Sequence, residues 1–398
     1  MIQPLQPIPS ISFGRFISVR SPELVRVDSE IGRVKAVISS VIQDAIHLRK
    51  PQKHPISRAR ISLVPPQIWA SIFWFCLIIE SKDDYVVWTS STAPCVFQQV
   101  CSTWRDTVLT TPALWASLSL RIIQGCDWKR QLHTCLRLSG TVPLTLDIQW
   151  YLPGGTDWQG DADLICNSLL LHSARWKKLR LFLPSICITQ LLNTPMPALQ
   201  SLAVVGESSA KSVVTLREVA PRLRSATFES LHQDPRVWVM PWEQLTSLRC
   251  GYFLPAEEAL ELCKACPLLE CASFRVGWMT VPPSPKFRLI MSRLKSLSIY
   301  IGCQDNCSRL FEYLTTPCLE ELALTSYHLG ASRFELKESI VGLCARSVCQ
   351  LRKISCIGLS ADIELIECIE RIDTVTEVVF KHGVDTLPPS ITGVLAER

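Results

Sequence analysis

The chain is poor in the patterns that bond-making chemistry needs. Only 16 of its 398 residues are glycine, and none builds a Gly-rich phosphate loop, which excludes the P-loop and dinucleotide fingerprints. Neither His-Glu-x-x-His nor Gly-x-Ser-x-Gly occurs, so the common zinc-peptidase and hydrolase signatures are missing too. The seven histidines are scattered, and none sits beside a plausible nucleophile in a recognisable catalytic pattern. These absences predict a protein that is not an enzyme, with no catalytic residue and no cofactor. An enzyme built on this chain would instead show a deep pocket lined by clustered ionisable groups.

A strong charge of one sign is also lacking. The net charge is +5, from 41 basic and 36 acidic residues, and no run of Lys or Arg is interleaved with aromatics. Nucleic acid is therefore not an expected partner. The longest apolar stretch, Ile68 to Ile79, is too short to span a bilayer, so no membrane partner is expected. Pro4, Pro7 and Pro9 interrupt the first 20 residues, which therefore lack the apolar core of a secretory signal. Arg15 and Arg20 with no acid before Glu23 leave a transit peptide as the alternative.

Cysteine, by contrast, is plentiful. Many of the 18 occupy apolar slots, Cys250, Cys263 and Cys356 among them. Free cysteine packs as a small hydrophobe, so the reading is reduced core thiols and a cytoplasmic and/or nuclear protein. Cys263 and Cys266 form a C-x-x-C with Cys271 close by, and Cys303, Cys307, Cys344 and Cys349 follow. Structural zinc usually takes two close pairs. Only one pair here has C-x-x-C spacing, and Cys263 falls on a helical stripe, so packing is expected and no metal.

What recurs is the phrase apolar-x-x-apolar-x-apolar. It appears at Trp176-Leu179-Leu181, Leu199-Leu202-Val204, Leu223-Ala226-Phe228, Leu245-Leu248-Cys250 and Leu269-Ala272-Phe274. It returns at Leu294-Leu297-Ile299, Leu319-Leu322-Leu324, Leu351-Ile354-Cys356 and Val375-Val378-Phe380. Starts lie roughly 22–25 residues apart with one step of about 32, a period that means stacked repeats. Helical segments lie between them: Ala256 to Ala265, Cys307 to Leu314, Phe334 to Ala345 and Ala361 to Ile372. Each unit reads as helix, turn and strand, which predicts parallel pairing. A leading strand is expected at Leu144–Ile148, and Leu387-Pro388-Pro389-Ser390 reads as an end or cap. By alternation Arg180, Phe182, Arg249, Arg275, Tyr300, Thr325 and Lys381 point away from the core. Arg and aromatic side chains are typical of binding hot spots; ordinary solvated strand positions are the other reading. Four of these residues are basic, with Glu229 opposing, which suggests a mildly acidic partner.

Upstream, residues 1–20 read as irregular and residues 21–50 as a heptad helix. Leu24, Ile31, Ile38 and Ala45 share one seam position, and Val27, Val34, Val41 and Leu48 the other. The helix either packs on its own domain or self-associates through this seam. A polar linker, Lys50 to Arg60, precedes a block over 61–120. There Pro65-Pro66 opens a helix with Ile68, Ile72, Phe75 and Cys76 on its apolar stripe and Trp69 and Phe73 beside them. After a polar loop, Glu80 to Ala93, a second helix starts near Pro94. Phe97, Val100, Cys101, Trp104 and Val108 lie on its buried side.

Residues 61–120 resemble the F-box-like domain of basidiomycete fungal proteins. The matching segments are Val64-Pro65-Pro66-Gln67-Ile68-Trp69, Ile72-Phe73, Val100-Cys101-Ser102-Thr103-Trp104-Arg105 and Thr111-Pro112-Ala113-Leu114-Trp115. The family pattern opens Leu-Pro-Pro-Glu-Ile-Leu, so Val64, Gln67 and Trp69 depart from it. The repeats also lack the Asn that leucine-rich repeats carry after the strand. The resemblance implies a small all-α F-box-like domain followed by a leucine-rich-repeat-like α/β solenoid with a parallel sheet over 121–398.

It further implies a substrate-recognition subunit of a Skp–cullin–F-box ubiquitin ligase, with a Skp-type adaptor and cullin core as partners. Val64, Pro65, Pro66, Ile68, Trp69, Ile72, Val100, Trp104 and Trp115 would serve the adaptor. The outward strand residues would hold an unidentified target protein. Val100, Cys101 and Trp104 are also readable as the domain's own core. A non-ligase interaction scaffold with a degenerate F-box is the alternative.

Overall fold

A proline pair starts the first helix. Pro66 takes the first helical position, where a missing N–H costs nothing. The Pro65 carbonyl accepts from the amides of Ile68 and Trp69 at 3.0 and 3.3 Å. This helix, α1, spans Pro66–Glu80. The structure, a computed structural model, describes residues 64–80, 94–152, 158–205, 215–229, 238–277, 288–301, 307–326, 333–358, 369, 372 and 374–381. The irregular N-terminus, the heptad helix, the linker, the loop before Pro94, most of the expected 361–372 helix and the C-terminal cap lie outside the described residues.

The second expected helix is interrupted. A 3-10 turn, Phe97–Gln99, precedes α2, Ser102–Leu109. Between them Cys101 is extended (φ −156°, ψ 171°), and its sulfur accepts from the Trp104 amide at 3.5 Å. The helical phase therefore resets at Cys101, and Val100 turns out to solvent (45% exposed) instead of joining a buried stripe. A further 3-10 turn, Pro112–Trp115, leads into strand β1, Ser117–Ile122. Trp115 is buried there, its indole N–H donating to the Val108 carbonyl at 2.8 Å. The helical block thus runs without a linker into a strand that crosses the 120/121 boundary.

That strand begins a long parallel sheet. It continues through β2 (Leu144–Trp150), β3 (Trp176–Phe182), β4 (Ser201–Val205), β5 (Ser225–Glu229), β6 (Ser247–Leu254) and β7 (Cys271–Val276). A short strand, β8 (Leu289–Ile290), is followed by β9 (Ser296–Ile301), a short β10 (Leu314–Thr315), β11 (Glu321–Ser326), β12 (Lys353–Ile357) and β13 (Glu377–Lys381). Eleven of these form one sheet in the order of the chain, and β8 pairs separately with β10. Every pairing is parallel, as strands returned through helical crossovers require. The crossovers carry α3 (Trp128–Leu138), α4 (Trp158–Leu170), α5 (Ser185–Leu192), α6 (Leu216–Val219), α7 (Ala256–Ala265), α8 (Cys307–Tyr313) and α9 (Arg333–Ser347). The protein is thus a mixed α/β fold with an open sheet.

The recurring phrase sets the register. Leu179, Leu202, Ala226, Leu248, Ala272, Leu297, Leu322, Ile354 and Val378 are paired in one cross-strand row. Two residues on, Leu181, Val204, Phe228, Cys250, Phe274, Ile299, Leu324, Cys356 and Phe380 make a second. Strand side chains alternate between faces, so both rows point one way, into the core from β3 to β12 and toward a partly open end at β13, where Val378 is 40% exposed. The lead residues Leu199, Leu223, Leu245, Leu269, Leu294 and Leu319 are wholly buried. Each closes a turn by donating its amide three residues back, to Met196, Ala220, Trp242, Cys266, Met291 and Thr316. Behind them a row of main-chain bonds runs from Gln200 to Lys177, Arg224 to Gln200, Thr246 to Arg224, Glu270 to Thr246 and Lys295 to Glu270, each 2.8 Å. These bonds satisfy the backbone at the strand entrances.

Candidate functional site

Among the described residues, two surfaces hold most of the side chains that the sequence singled out for binding. The first is on α1. This helix is apolar almost all round, and a helix of that kind offers packing on more than one side. Phe73 and Leu77 are buried, and Trp69 is half-buried beside them. The ring centroids of Trp69 and Trp104 are 4.8 Å apart, those of Phe73 and Phe97 4.4 Å, and those of Phe73 and Trp104 4.9 Å. This aromatic cluster fastens α1 to α2.

The opposite stripe faces solvent. Ile68, Ile72 and Phe75, spaced i, i+4, i+7, are 51%, 39% and 61% exposed, with Trp74 next to them at 43%. The apolar stripe read from the sequence is therefore the outer one. Pro65 and Pro66 are exposed at its head and Val64 is half-buried. Of the residues expected to serve an adaptor, Pro65, Pro66, Ile68, Ile72 and Val100 are accessible. Trp69 and Trp104 act through the aromatic cluster. Trp115 is 1% exposed and belongs to the core, which corrects its place in the contact set. Phe75 was missed as a contact residue, although its spacing from Ile68 and Ile72 was visible in the sequence.

The second surface is the outward side of the sheet. Arg180 on β3 and Arg249 on β6 both approach Glu229 on β5, at 3.6 and 3.9 Å. The Arg275 guanidinium lies 5.5 Å from the Phe253 ring and 5.6 Å from that of Tyr300. Phe182 packs on Tyr151, 5.4 Å between centroids. Thr325 does not join this surface. It lies between Tyr300 and Ile357 on neighbouring strands, and its short side chain is 6% exposed. Lys381 is paired with Ile357 at the far strand, and its side chain lies outside the described residues.

Asp147 was not anticipated. It sits on β2 one strand from Arg180, 4% exposed, accepting from Ser119 Oγ at 3.1 Å and Gln149 Nε2 at 2.8 Å through Oδ2. Its Oδ1 has no hydrogen-bond partner. Burial pushes the carboxyl above its ordinary range, against the pull of Arg180, the bonds from Ser119 and Gln149, and Arg121. The folded protein therefore binds this proton more tightly than the unfolded chain, and stability falls as pH rises through that window. Asp147→Asn should raise the melting temperature at neutral pH. The gain should vanish as pH falls toward the unfolded carboxyl value of about 3.9. Scanning fluorimetry across pH checks this; a gain of equal size at every pH would assign the effect to packing.

The cysteine pair Cys263 and Cys266 is buried, and desolvation raises both thiols, Cys266 to about 12. Both pack as protonated thiols at neutral pH. Among the described residues no three His, Cys, Asp or Glu side chains converge where they could hold a metal, and no helix is long and apolar enough to cross a membrane. No known family profile and no curated protein matches the chain.

Proposed function

We propose that this chain is a non-catalytic substrate-recognition adaptor of the Skp–cullin–F-box type. In this reading the 61–120 block is an F-box-like domain and the helix–turn–strand units are leucine-rich-repeat-like turns of a solenoid. The exposed end of α1 docks a Skp-type adaptor, and the outward sheet face holds the protein to be ubiquitinated. The reading is carried by one observation: a proline-led apolar stripe, Ile68–Ile72–Phe75, faces solvent while an aromatic cluster locks the helix from behind. Apolar side chains held rigid in this way make interface hot spots. The chain itself would form no bond. It would raise the local concentration of a target lysine beside a charged conjugating enzyme, an effective-molarity effect.

The test is co-purification of the full chain with a Skp-type adaptor. Ile72→Glu and Phe75→Glu together bury two charges in the interface, so binding should weaken at least about a hundredfold. Because both residues are solvent-facing, the melting temperature should stay near the parent's. Adaptor binding that survives the double substitution would remove α1 as the docking element. The alternative, an interaction scaffold without ligase docking, draws on Gln67, exposed and neutral where the family pattern has Glu, and on Trp69, turned into the aromatic cluster. It predicts that the parent chain binds no Skp-type adaptor.

A further inference from the structure

We propose that the outward face of β3 to β9 binds an Asp/Glu-rich peptide segment, and that Glu229 occupies between Arg180 and Arg249 the place that a carboxylate of that segment takes. This deepens the target-binding half of the adaptor reading and rests on it for its biological sense.

The placement follows from register. Arg180, Ala203, Thr227 and Arg249 lie in one cross-strand row on β3, β4, β5 and β6. Two arginines therefore stand three strand spacings apart, about 14 Å, over a floor of two small residues. Glu229 enters this trough from the next row, where Phe182, Val205 and Glu229 are aligned. Its contacts to the two guanidiniums, 3.6 and 3.9 Å, exceed the roughly 2.7–2.9 Å of a charge-assisted hydrogen bond. A carboxylate arriving from solvent meets no such reach limit and can face each guanidinium at bonding distance.

The same two rows extend the site. Across β1 to β9 they hold Arg121, Arg180, Arg249 and Arg275 against Asp147 and Glu229. Charge in these two rows is thus positive by two, although the whole chain carries only +5. Phe253, 46% exposed, and Tyr300 hold Arg275 by their ring faces, next to Arg249's strand. A second acidic side chain and an adjoining apolar residue would find partners there. Nucleic acid fits less well. A phosphate backbone seeks continuous positive charge, and here two carboxylates interrupt the arginines.

The decisive signature is opposite signs from neighbouring residues. Full-length protein is titrated into fluorescein-labelled oligo-glutamate and followed by anisotropy at low salt. Arg180→Ala with Arg249→Ala should weaken binding about tenfold or more. Glu229→Gln, which removes the resident competitor, should tighten it severalfold. A merely structural Glu229 would give weaker binding or none. Failure of the parent to bind oligo-glutamate, Glu229→Gln without gain, or tighter binding of a labelled oligouridine would each overturn the proposal. Adaptor co-purification on the same preparations separates the two readings. Adaptor binding without peptide binding sinks only this inference, and peptide binding without adaptor binding sinks only the ligase assignment.

Discussion

Phe228→Ala should destabilise the protein by about 3–5 kcal/mol. The side chain is wholly buried, in the second inner row between Val204 and Cys250 on the adjoining strands. Its ring also meets Trp238 edge-on, 5.2 Å between centroids at 85°. Removing it opens a cavity that the strands cannot close, because their positions are fixed on both sides by main-chain pairing. Urea denaturation followed by circular dichroism measures the loss. Phe228→Leu, which keeps most of the volume, should cost well under half as much. A loss below about 1 kcal/mol for the alanine would mean that the inner row is not a shared core.

Gly358→Ala should cost about 3 kcal/mol or more. Its φ is +70°, a region that disfavours any Cβ, and a Cβ there would lie 1.9 Å from the Ser326 carbonyl oxygen. That oxygen is main chain at the end of β11, so relief demands moving a strand and not merely a rotamer. Gly140 is the control. Its φ is +54°, but an added Cβ would meet nothing nearer than Pro112 at 4.0 Å. Gly140→Ala should therefore cost only the conformational part, roughly 1 kcal/mol. The difference between the two melting shifts isolates the steric clash. Equal shifts would show that β11 yields without penalty.

The sheet was legible because its signal repeats. A three-then-two spacing of apolar residues fixes which strand residues point inward, and Leu294-Leu297-Ile299 or Leu319-Leu322-Leu324 leave little choice of phase. Parallel pairing followed from the helical segments between them. The α1 face was not legible in the same way. The Ile68–Ile72–Phe75 spacing was readable, but with Trp69, Phe73 and Trp74 also apolar it does not say which side is buried, and only the aromatic partners Phe97 and Trp104 decide that. Val100 was misplaced because a cysteine sulfur acts as the cap, a role usually read from Ser, Thr, Asp or Asn. Trp128, Leu132, Cys135 and Leu136 on α3 carried helical spacing that was passed over, since they precede the recurring phrase. Asp147 followed the strand alternation, but its burial depends on Ser119 and Gln149 closing over it.

The uninterrupted chain of bonds at the strand entrances makes the sheet behave as a ruler. Any inserted helix–turn–strand module would offer its neighbours the same edges they already have, so the row would accept it without refitting either side. Each such gain or loss between β2 and β7 would change the separation of Asp147 and Arg275 by about 4.8 Å. If the outward face binds a segment as proposed, selectivity for that segment's length and spacing would drift by whole modules while the fold stays constant.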